Sequence, residues 1–317
     1  MRPFTFAIIV LICQGANLAA QSPAGQERPT YRSRTDLVAM TAVVSDRTGR
    51  SVQGLSRADF ELFDAGERRA IVDFSSERAA ASVAILLDVS GSMEVSSKLA
   101  RAKEAIEQVV SWLDSATDEV AVYTFDSGLR EQLPFAPASP DLLRHLLPLD
   151  GFGSTSLYDA IAQIGQRLAA QGRSRRAVVV VTDGVDTSSR LSASEALQAA
   201  SATEVPVYVV AVVTTLDIPD QATRASGATP AFAERPLEVL AHRTGGLFFI
   251  ASAPAHASLA ARQIAAELHH GYQIAFEADS RAGWHALTLR TRQKGLIVRA
   301  RDGYGASSSS TANSPSK

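Results

Sequence analysis

The hydrophobic pattern of this chain changes twice along its length. From Thr35 to Phe74 short β-rich runs predominate, and between Asp59 and Asp64 apolar and polar residues alternate as in a strand that buries one face. From Ser82 to His269 short apolar runs alternate with segments of helical spacing, and the β pattern returns after Gly271. The order predicts a β segment, a larger α/β unit and a second β segment.

Within the central stretch, strands and helices are predicted in alternation. The predicted strands are Val83–Leu87, Glu119–Phe125, a short strand near Leu133–Phe135, Ala177–Val181, Val205–Val213 and Leu247–Ile250. The predicted helices are Ser97–Asp114, Asp141–Leu147, Ser156–Ala170, Ser192–Ala202, Leu237–Arg243 and Leu259–His269. The predicted fold class is therefore α/β, with a Rossmann-like, mostly parallel central sheet and helices on both faces, plus a small β domain formed by the N- and C-terminal segments.

Neither of the two β segments is expected to fold by itself, because neither has enough strands for independent stability. We predict that residues 35–78 and 271–305 pair into one discontinuous β domain, with the α/β unit of residues 79–270 inserted between them. Thr214–Pro236 contains three prolines and is predicted to be a surface insertion. The Ser-rich residues 306–317 are predicted to be a disordered tail.

The N-terminus has the pattern of a secretory signal peptide. Arg2 supplies a positive start, Phe4–Cys13 is apolar but too short to span a bilayer, and small residues lead to a predicted cleavage after Ala20. Residues 21–34 then form a polar lead-in. A retained N-terminal anchor is the alternative. We expect a secreted or periplasmic protein whose mature chain has no transmembrane segment, and no cysteine, because Cys13 is the only one.

Composition excludes some classes of function. Apolar residues make up 46% of the chain, which is enough for a sizeable core, and the formal net charge is only −2. With no basic run and no net positive charge, we expect no nucleic-acid partner.

Candidate chemistry is concentrated in three short segments. Asp88, Ser90 and Ser92 follow the first buried strand, Asp183 follows the Val-rich strand, and Thr155 precedes a helix. Loops at the carboxyl ends of parallel strands gather at one edge of a sheet, so these side chains are expected to converge. Two carboxylates and three hydroxyls, without sulfur or imidazole, suit a hard cation: Mg²⁺, with Mn²⁺ or Ca²⁺ as substitutes.

The pattern D-x-S-x-S, a G-x-T loop and T-D-G after a strand resembles the metal-ion-dependent adhesion site of the von Willebrand factor type A family over Ser82–His269. The resemblance implies that Ser90, Ser92 and Thr155 bind metal directly, and that Asp88 and Asp183 act largely through water. It also implies a protein partner that offers an Asp or Glu carboxylate to the metal. The flanks, Asp46–Gly66 and Val298–Tyr304, resemble von Willebrand A-related proteins of acidobacterial type.

These residues favour a binding protein over an enzyme. A serine hydrolase needs a G-x-S-x-G turn and a histidine base, and the segment Asp88–Ser92 offers neither. The hypothesis is an exported, metal-dependent protein-binding module. Two alternatives stay open: a structural component of an envelope complex, in which the metal only stabilises the fold, and a metal-dependent hydrolase.

Other residues receive plainer interpretations. Asp186 is either a support of the metal shell or, more in keeping with its loop, a capping residue. Asp159 is expected to be a solvated helix residue, and His269 a surface residue. Trp112 and Trp284 are expected in the core or at its edge.

Overall fold

The computed structural model describes residues 37–139, 141, 144, 149–171, 175–214, 217 and 234–306. The predicted signal peptide and lead-in, most of the predicted helix at 141–147, most of the predicted insertion and residues 307–317 of the predicted tail lie outside these residues. Among the described residues, no helix has both the length and the apolar character needed to cross a membrane.

The described residues form fourteen strands and five α-helices, numbered in chain order. The strands are β1 (Leu37–Ser45), β2 (Phe60–Asp64), β3 (Glu67–Arg69), β4 (Ile71–Ser75), β5 (Ser82–Asp88), β6 (Glu119–Phe125), β7 (Leu129–Pro137), β8 (Arg176–Thr182), β9 (Val207–Val212), β10 (Phe248–Ala251), β11 (Tyr272–Glu277), β12 (Gly283–Thr291), β13 (Ile297–Arg299) and β14 (Gly303–Ala306). The helices are α1 (Lys98–Ser111), α2 (Leu157–Ala170), α3 (Ala193–Ser201), α4 (Glu234–Arg243) and α5 (Pro254–His270).

The central sheet has the strand order β10-β9-β8-β5-β6-β7. All neighbours in it are parallel except the edge strand β7, which pairs antiparallel with β6. Strand β5 lies in the middle and is buried along its whole length. Its alternate residues enter two separate cores, which is why the sequence shows a continuous apolar run instead of an alternating one.

Helices cover both faces of this sheet. Val83, Ile85 and Leu87 of β5 share a core with α1 and α5, while Ala84 and Leu86 share the opposite core with α2, α3 and α4. The apolar positions of α1 and α2 recur at helical spacing and are buried, so the hydrophobic effect seats these helices on the sheet.

The flanking segments form two four-stranded antiparallel sheets with a core between them. Their strand orders are β13-β1-β11-β4 and β14-β12-β2-β3, so each sheet combines strands from both ends of the described chain. Strand β1 pairs with β11, and β2 pairs with β12. Alternate residues of β1 point into a core shared with Phe60, Leu62, Tyr272 and Phe276.

The predicted fold class is confirmed: a mostly parallel central sheet between helices, with a small β domain built from the N- and C-terminal segments. Some local predictions are wrong. Helix α5 begins at Pro254, five residues before its predicted start, and β14 was not predicted. His269 is buried, and its Nε2 lies 2.6 Å from Asp118 Oδ2. Trp112 and Trp284 are about half exposed, so they lie at the edge of the core.

Candidate metal centre at the carboxyl edge of the central sheet

Two of the predicted site residues are brought together by neighbouring strands. Asp88 is the last residue of β5, and Asp183 follows β8, which pairs in parallel with β5. Thr182 Oγ1 donates a hydrogen bond of 2.6 Å to Asp88 Oδ2 across the two strands. Both aspartates are buried. The strand pairing therefore places two carboxylates at one edge of the sheet.

The turn after β5 brings two serine hydroxyls close together. The backbone N–H of Ser90 donates to Asp88 Oδ1 at 2.9 Å, which ties the turn to the carboxylate. The Oγ atoms of Ser90 and Ser92 lie 3.1 Å apart. This spacing is close enough for both oxygens to bind one cation.

The loop that carries Thr155 is attached to this turn by backbone hydrogen bonds. The N–H of Phe152 donates to the carbonyl of Val89 at 2.8 Å, and the N–H of Gly91 donates to the carbonyl of Gly153 at 3.0 Å. Gly153 has φ +88°, which favours glycine. A Cβ on Gly151 would lie only 2.8 Å from the carbonyl oxygen of Ser90, so only glycine fits there.

Thr155 connects this loop to the one after β8. Its side chain is buried, its N–H donates to Thr187 Oγ1 at 2.8 Å, and its carbonyl accepts from the N–H groups of Thr187 and Ser188 at 2.9 Å. The three loops predicted to form the site are thus joined by hydrogen bonds. All five predicted residues, Asp88, Ser90, Ser92, Thr155 and Asp183, lie on them.

Two charged residues that sequence reasoning missed complete the site. Lys98, the first residue of α1, is buried, and its Nζ donates to Asp183 Oδ2 at 3.1 Å and to Asp217 Oδ1 at 2.8 Å. For Lys98, the indication available in the sequence was its position six residues after Ser92. Asp217 lies in the predicted surface insertion and carried no signal in the sequence.

The charges of the site suit a divalent cation. Burial, together with the charge of Asp183, raises the pKa of the Asp88 carboxyl to about 6, although the hydrogen bonds from Thr182 and Ser90 lower it. Burial lowers the pKa of Lys98, but its hydrogen bonds and ion pairs with Asp217 and Asp183 outweigh burial, so the pKa is raised. The ionised carboxylates of Asp88, Asp183 and Asp217 and the ammonium of Lys98 together carry a charge of −2, which a divalent ion would balance. The donor set, all hard oxygens, fits Mg²⁺, Mn²⁺ or Ca²⁺.

Asp186 and Asp159 have structural roles near the site. Asp186 Oδ1 accepts from the N–H of Leu157 at 2.8 Å and caps the first turn of α2, as its capping interpretation requires. The prediction that Asp159 is merely solvated is wrong. Its carboxylate accepts from the N–H groups of Arg190 and Leu191, at 3.1 and 3.0 Å.

A second group of possible ligands lies in the β domain. One potential ligand atom from each of Asp64, Asp279 and His285 lies within 4.8 Å of the others. Arg69 forms salt bridges with both aspartates, and Tyr304 donates to Asp64 at 2.9 Å. The guanidinium already supplies positive charge there, so this group is a buried ion-pair network and fits a metal poorly.

Comparison with known proteins bears on the fold of this unit. The family model of the von Willebrand factor type A domain matches residues 83–185. A solved structure described as von Willebrand factor type A from Catenulispora acidiphila is similar over 87% of this chain and 76% of its own, with TM-score 0.50 and 14% identity. At that identity the likeness concerns the fold alone.

Two further structures have lower TM-scores. BatB from Bacteroides thetaiotaomicron matches 59% of this chain and 98% of its own, with TM-score 0.46 and 22% identity. Proximal thread matrix protein 1 from the mussel byssus, described with a zinc-occupied MIDAS motif, matches 65% of this chain and 49% of its own, with TM-score 0.48 and 14% identity. Comparison with curated proteins gave no match.

Proposed function

Because residues 83–185 match the family model of the von Willebrand factor type A domain, we propose that the central unit of this chain is a metal-dependent protein-binding module. The observation that carries the proposal is the pair of serine oxygens, Ser90 and Ser92, which lie 3.1 Å apart beside the buried Asp88. Ser90, Ser92 and Thr155 would bind the metal through their hydroxyls, and Asp88 and Asp183 would hold it largely through water. The metal would supply an electrophilic position for an outside ligand.

The partner would offer an Asp or Glu side chain to that position. Hydroxyl ligands add no charge, so a divalent ion held by them stays attractive to a carboxylate. A neutral amide would gain much less from the same position. If the predicted signal peptide is functional, the proposed binding event would take place in the periplasm or outside the cell.

The surroundings of the serines argue against their use as hydrolytic nucleophiles. Among the hydrogen bonds of the described residues, none joins a histidine to Ser90 or Ser92: the bonded histidines contact Ser252, Asp118, Asp64 and Arg281. A serine without a base is a weak nucleophile.

The metal is tested by thermal unfolding with increasing Mn²⁺ or Mg²⁺. A ligand that binds only the folded state at one hundred times its Kd adds about 2.7 kcal/mol to the free energy of unfolding, so the melting temperature should rise. Asp88→Asn and Asp183→Asn should abolish the rise. Asp150→Asn removes an exposed carboxylate outside the site and should keep it. No rise for the wild type at millimolar metal would contradict the proposal.

The binding role is tested by capture of partners from envelope extract, with metal and with chelator. If the domain is a metal-dependent binding module, it should capture proteins in the presence of metal. Chelator or the Asp183→Asn substitution should abolish this capture while the domain stays folded. If metal stabilises the domain but capture is the same with chelator, the metal has only a structural role. This outcome is the one expected for a structural component of an envelope complex.

A further inference from the structure

The loop beside the candidate metal centre exposes a large aromatic side chain. Phe152 is 84% exposed, more than any other large hydrophobic residue in the described part of the chain. It lies three residues before Thr155. Single exposed apolar side chains are common on protein surfaces, so exposure alone decides nothing. What distinguishes Phe152 is how its backbone is held.

The backbone of Phe152 is fixed although its side chain is not packed. Its N–H donates to the carbonyl of Val89 at 2.8 Å. On one side, the N–H of Gly151 donates to Glu94 Oε1 at 2.6 Å. On the other side, the carbonyl of Gly153 accepts from the N–H of Gly91 at 3.0 Å. Three consecutive residues of the loop are therefore attached to the turn that carries Ser90 and Ser92. The ring extends into solvent from a backbone that is held by hydrogen bonds. Less conformational entropy is therefore lost when the ring contacts a partner.

A second exposed apolar residue lies next to this loop. Glu94 accepts from Gly151, so the two segments run side by side, and the residue after Glu94 is Val95, which is 51% exposed. Ser96 and Ser97 follow with φ of 55° and 60°, a conformation that costs free energy for residues with a Cβ. The chain thus adopts a strained turn between the outward Val95 and the inward Lys98.

The metal-binding oxygens themselves are recessed. Asp88, Ser90 and Thr155 are buried, while Val95 and Phe152 stand out beside them. A carboxylate that reaches the metal must come from a protruding residue of the partner. The residues next to it in the partner would then contact Val95 and Phe152.

We propose that Val95 and Phe152, named here the apolar rim, form part of the partner-binding surface, and that the partner presents a loop in which an Asp or Glu is flanked within two positions by a large apolar residue. The carboxylate would bind the metal, and the apolar neighbour would cover the ring of Phe152. Removal of both apolar surfaces from water would add affinity that the carboxylate alone does not supply. This inference rests on the proposed function of the same site.

The test is selection from a displayed library of disulfide-closed random heptapeptides on the full chain, in Mn²⁺ and in chelator. We expect metal-dependent enrichment of loops that contain Asp or Glu, with Leu, Ile, Phe, Met or Trp within two positions of it. Phe152→Ser should weaken the enriched peptides at least tenfold, which is about 1.4 kcal/mol. The same variant should retain the Mn²⁺-induced rise in melting temperature, because the side chain is 84% exposed and its loss leaves the backbone hydrogen bond to Val89 in place.

The matched control is Leu259→Ser, which removes a side chain of 54% exposure on α5 and should leave peptide affinity unchanged. The apolar rim would be wrong if the enriched acidic loops show no preference for a neighbouring apolar residue, or if the enriched peptides bind Phe152→Ser as tightly as wild type. Either result would leave the proposed function standing. An absence of metal-dependent enrichment of acidic loops would overturn both.

Discussion

Lys98 places a positive charge beside the candidate site. Its ammonium bonds to Asp183, which is a proposed metal-binding residue, and to Asp217 from a distant part of the chain. A buried lysine is stable only when paired, so the two carboxylates account for its burial. A divalent ion beside Asp183 would be repelled by this ammonium. We therefore expect Lys98 to stabilise the metal-free protein and to oppose metal binding.

The residue-scale prediction is that Lys98→Met has opposite effects on stability and on metal affinity. In chelator, the variant should lose roughly 3 kcal/mol of unfolding free energy, because one partner of a buried ion pair is removed. Its apparent Kd for Mn²⁺ should fall at least tenfold, because a nearby positive charge is gone. Urea denaturation measures the first quantity, and Mn²⁺ titration of the melting temperature measures the second.

Lys103→Met provides the comparison, since Lys103 lies on the same helix and bonds to the backbone carbonyl of Leu149. It should change Mn²⁺ affinity much less. Weaker Mn²⁺ binding by Lys98→Met would mean that the lysine orients Asp183 for the metal, and the competition argument would be wrong.

At the scale of elements, one carboxylate joins the ends of several secondary structures. Asp118 lies just before β6, and its oxygens accept from the N–H of Ala81, before β5, at 2.9 Å and from the N–H of Asp114, after α1, at 2.7 Å. His269, in the last turn of α5, donates to it at 2.6 Å. Burial raises the pKa of Asp118, but these hydrogen bonds outweigh burial and the pKa is lowered.

The lowered pKa predicts a pH-dependent contribution to stability. A carboxyl with a depressed folded-state pKa stabilises the fold above its unfolded pKa, about 4, and loses that contribution as pH falls through the folded value. Asp118→Asn should therefore be less stable than wild type by about 2 kcal/mol at pH 7. The difference should stay constant down to about pH 5 and narrow below pH 4, as measured by urea denaturation across that range.

Asp114→Asn is the control, because Asp114 is more exposed and pairs with the exposed Arg78. Its effect at pH 7 should stay below about 1 kcal/mol. A gap between wild type and Asp118→Asn that is the same at pH 3.5 and pH 7 would refute the assignment of stability to the ionised carboxylate.

At the scale of the whole molecule, two arginines, one at the end of β13 and one between β13 and β14, attach the β domain to the α/β unit. Arg299, at the end of β13, bonds to Gly246 before β10 at 2.8 Å and pairs with Glu267 of α5 at 2.5 Å. Arg301 donates to the carbonyl of Ser201 in α3 at 2.8 Å and pairs with Glu204 at 3.1 Å. These contacts reach helices on both faces of the central sheet.

We expect the arginines to couple the two parts into one unfolding unit. Wild type should show a single transition in differential scanning calorimetry, and the double variant Arg299→Met, Arg301→Met should show two, with the first at lower temperature. The reason is that each substitution leaves a carboxylate or carbonyl at the boundary without its cation, at a cost of about 3 kcal/mol for a buried pair.

The control variant Arg68→Met, Arg292→Met removes two exposed salt bridges to Glu61 inside the β domain and should keep the single transition. A single transition at the wild-type temperature for the Arg299, Arg301 variant would show that apolar contacts alone couple the two parts.

Much of this molecule was predictable from local patterns. The fully apolar strands, the alternating β2, and the spacing of the apolar residues in α1 and α2 each follow from which faces must be buried, so the fold class could be inferred. The positions of Asp88 and Asp183 at strand ends also followed, because a parallel sheet brings such ends together. That these residues and Thr155 bind metal stays a prediction.

The pairing of charged side chains was not predictable in the same way. Lys98 and Asp217 are 119 positions apart, and Asp118 and His269 are 151 apart. No periodicity links such residues, since each choice of partner depends on which loops fold beside each other. His269 looked like a surface residue for this reason: its polar ring gave no indication of the carboxylate that makes its burial favourable. Local hydrophobic order determines the elements, whereas long-range packing determines which buried charges meet.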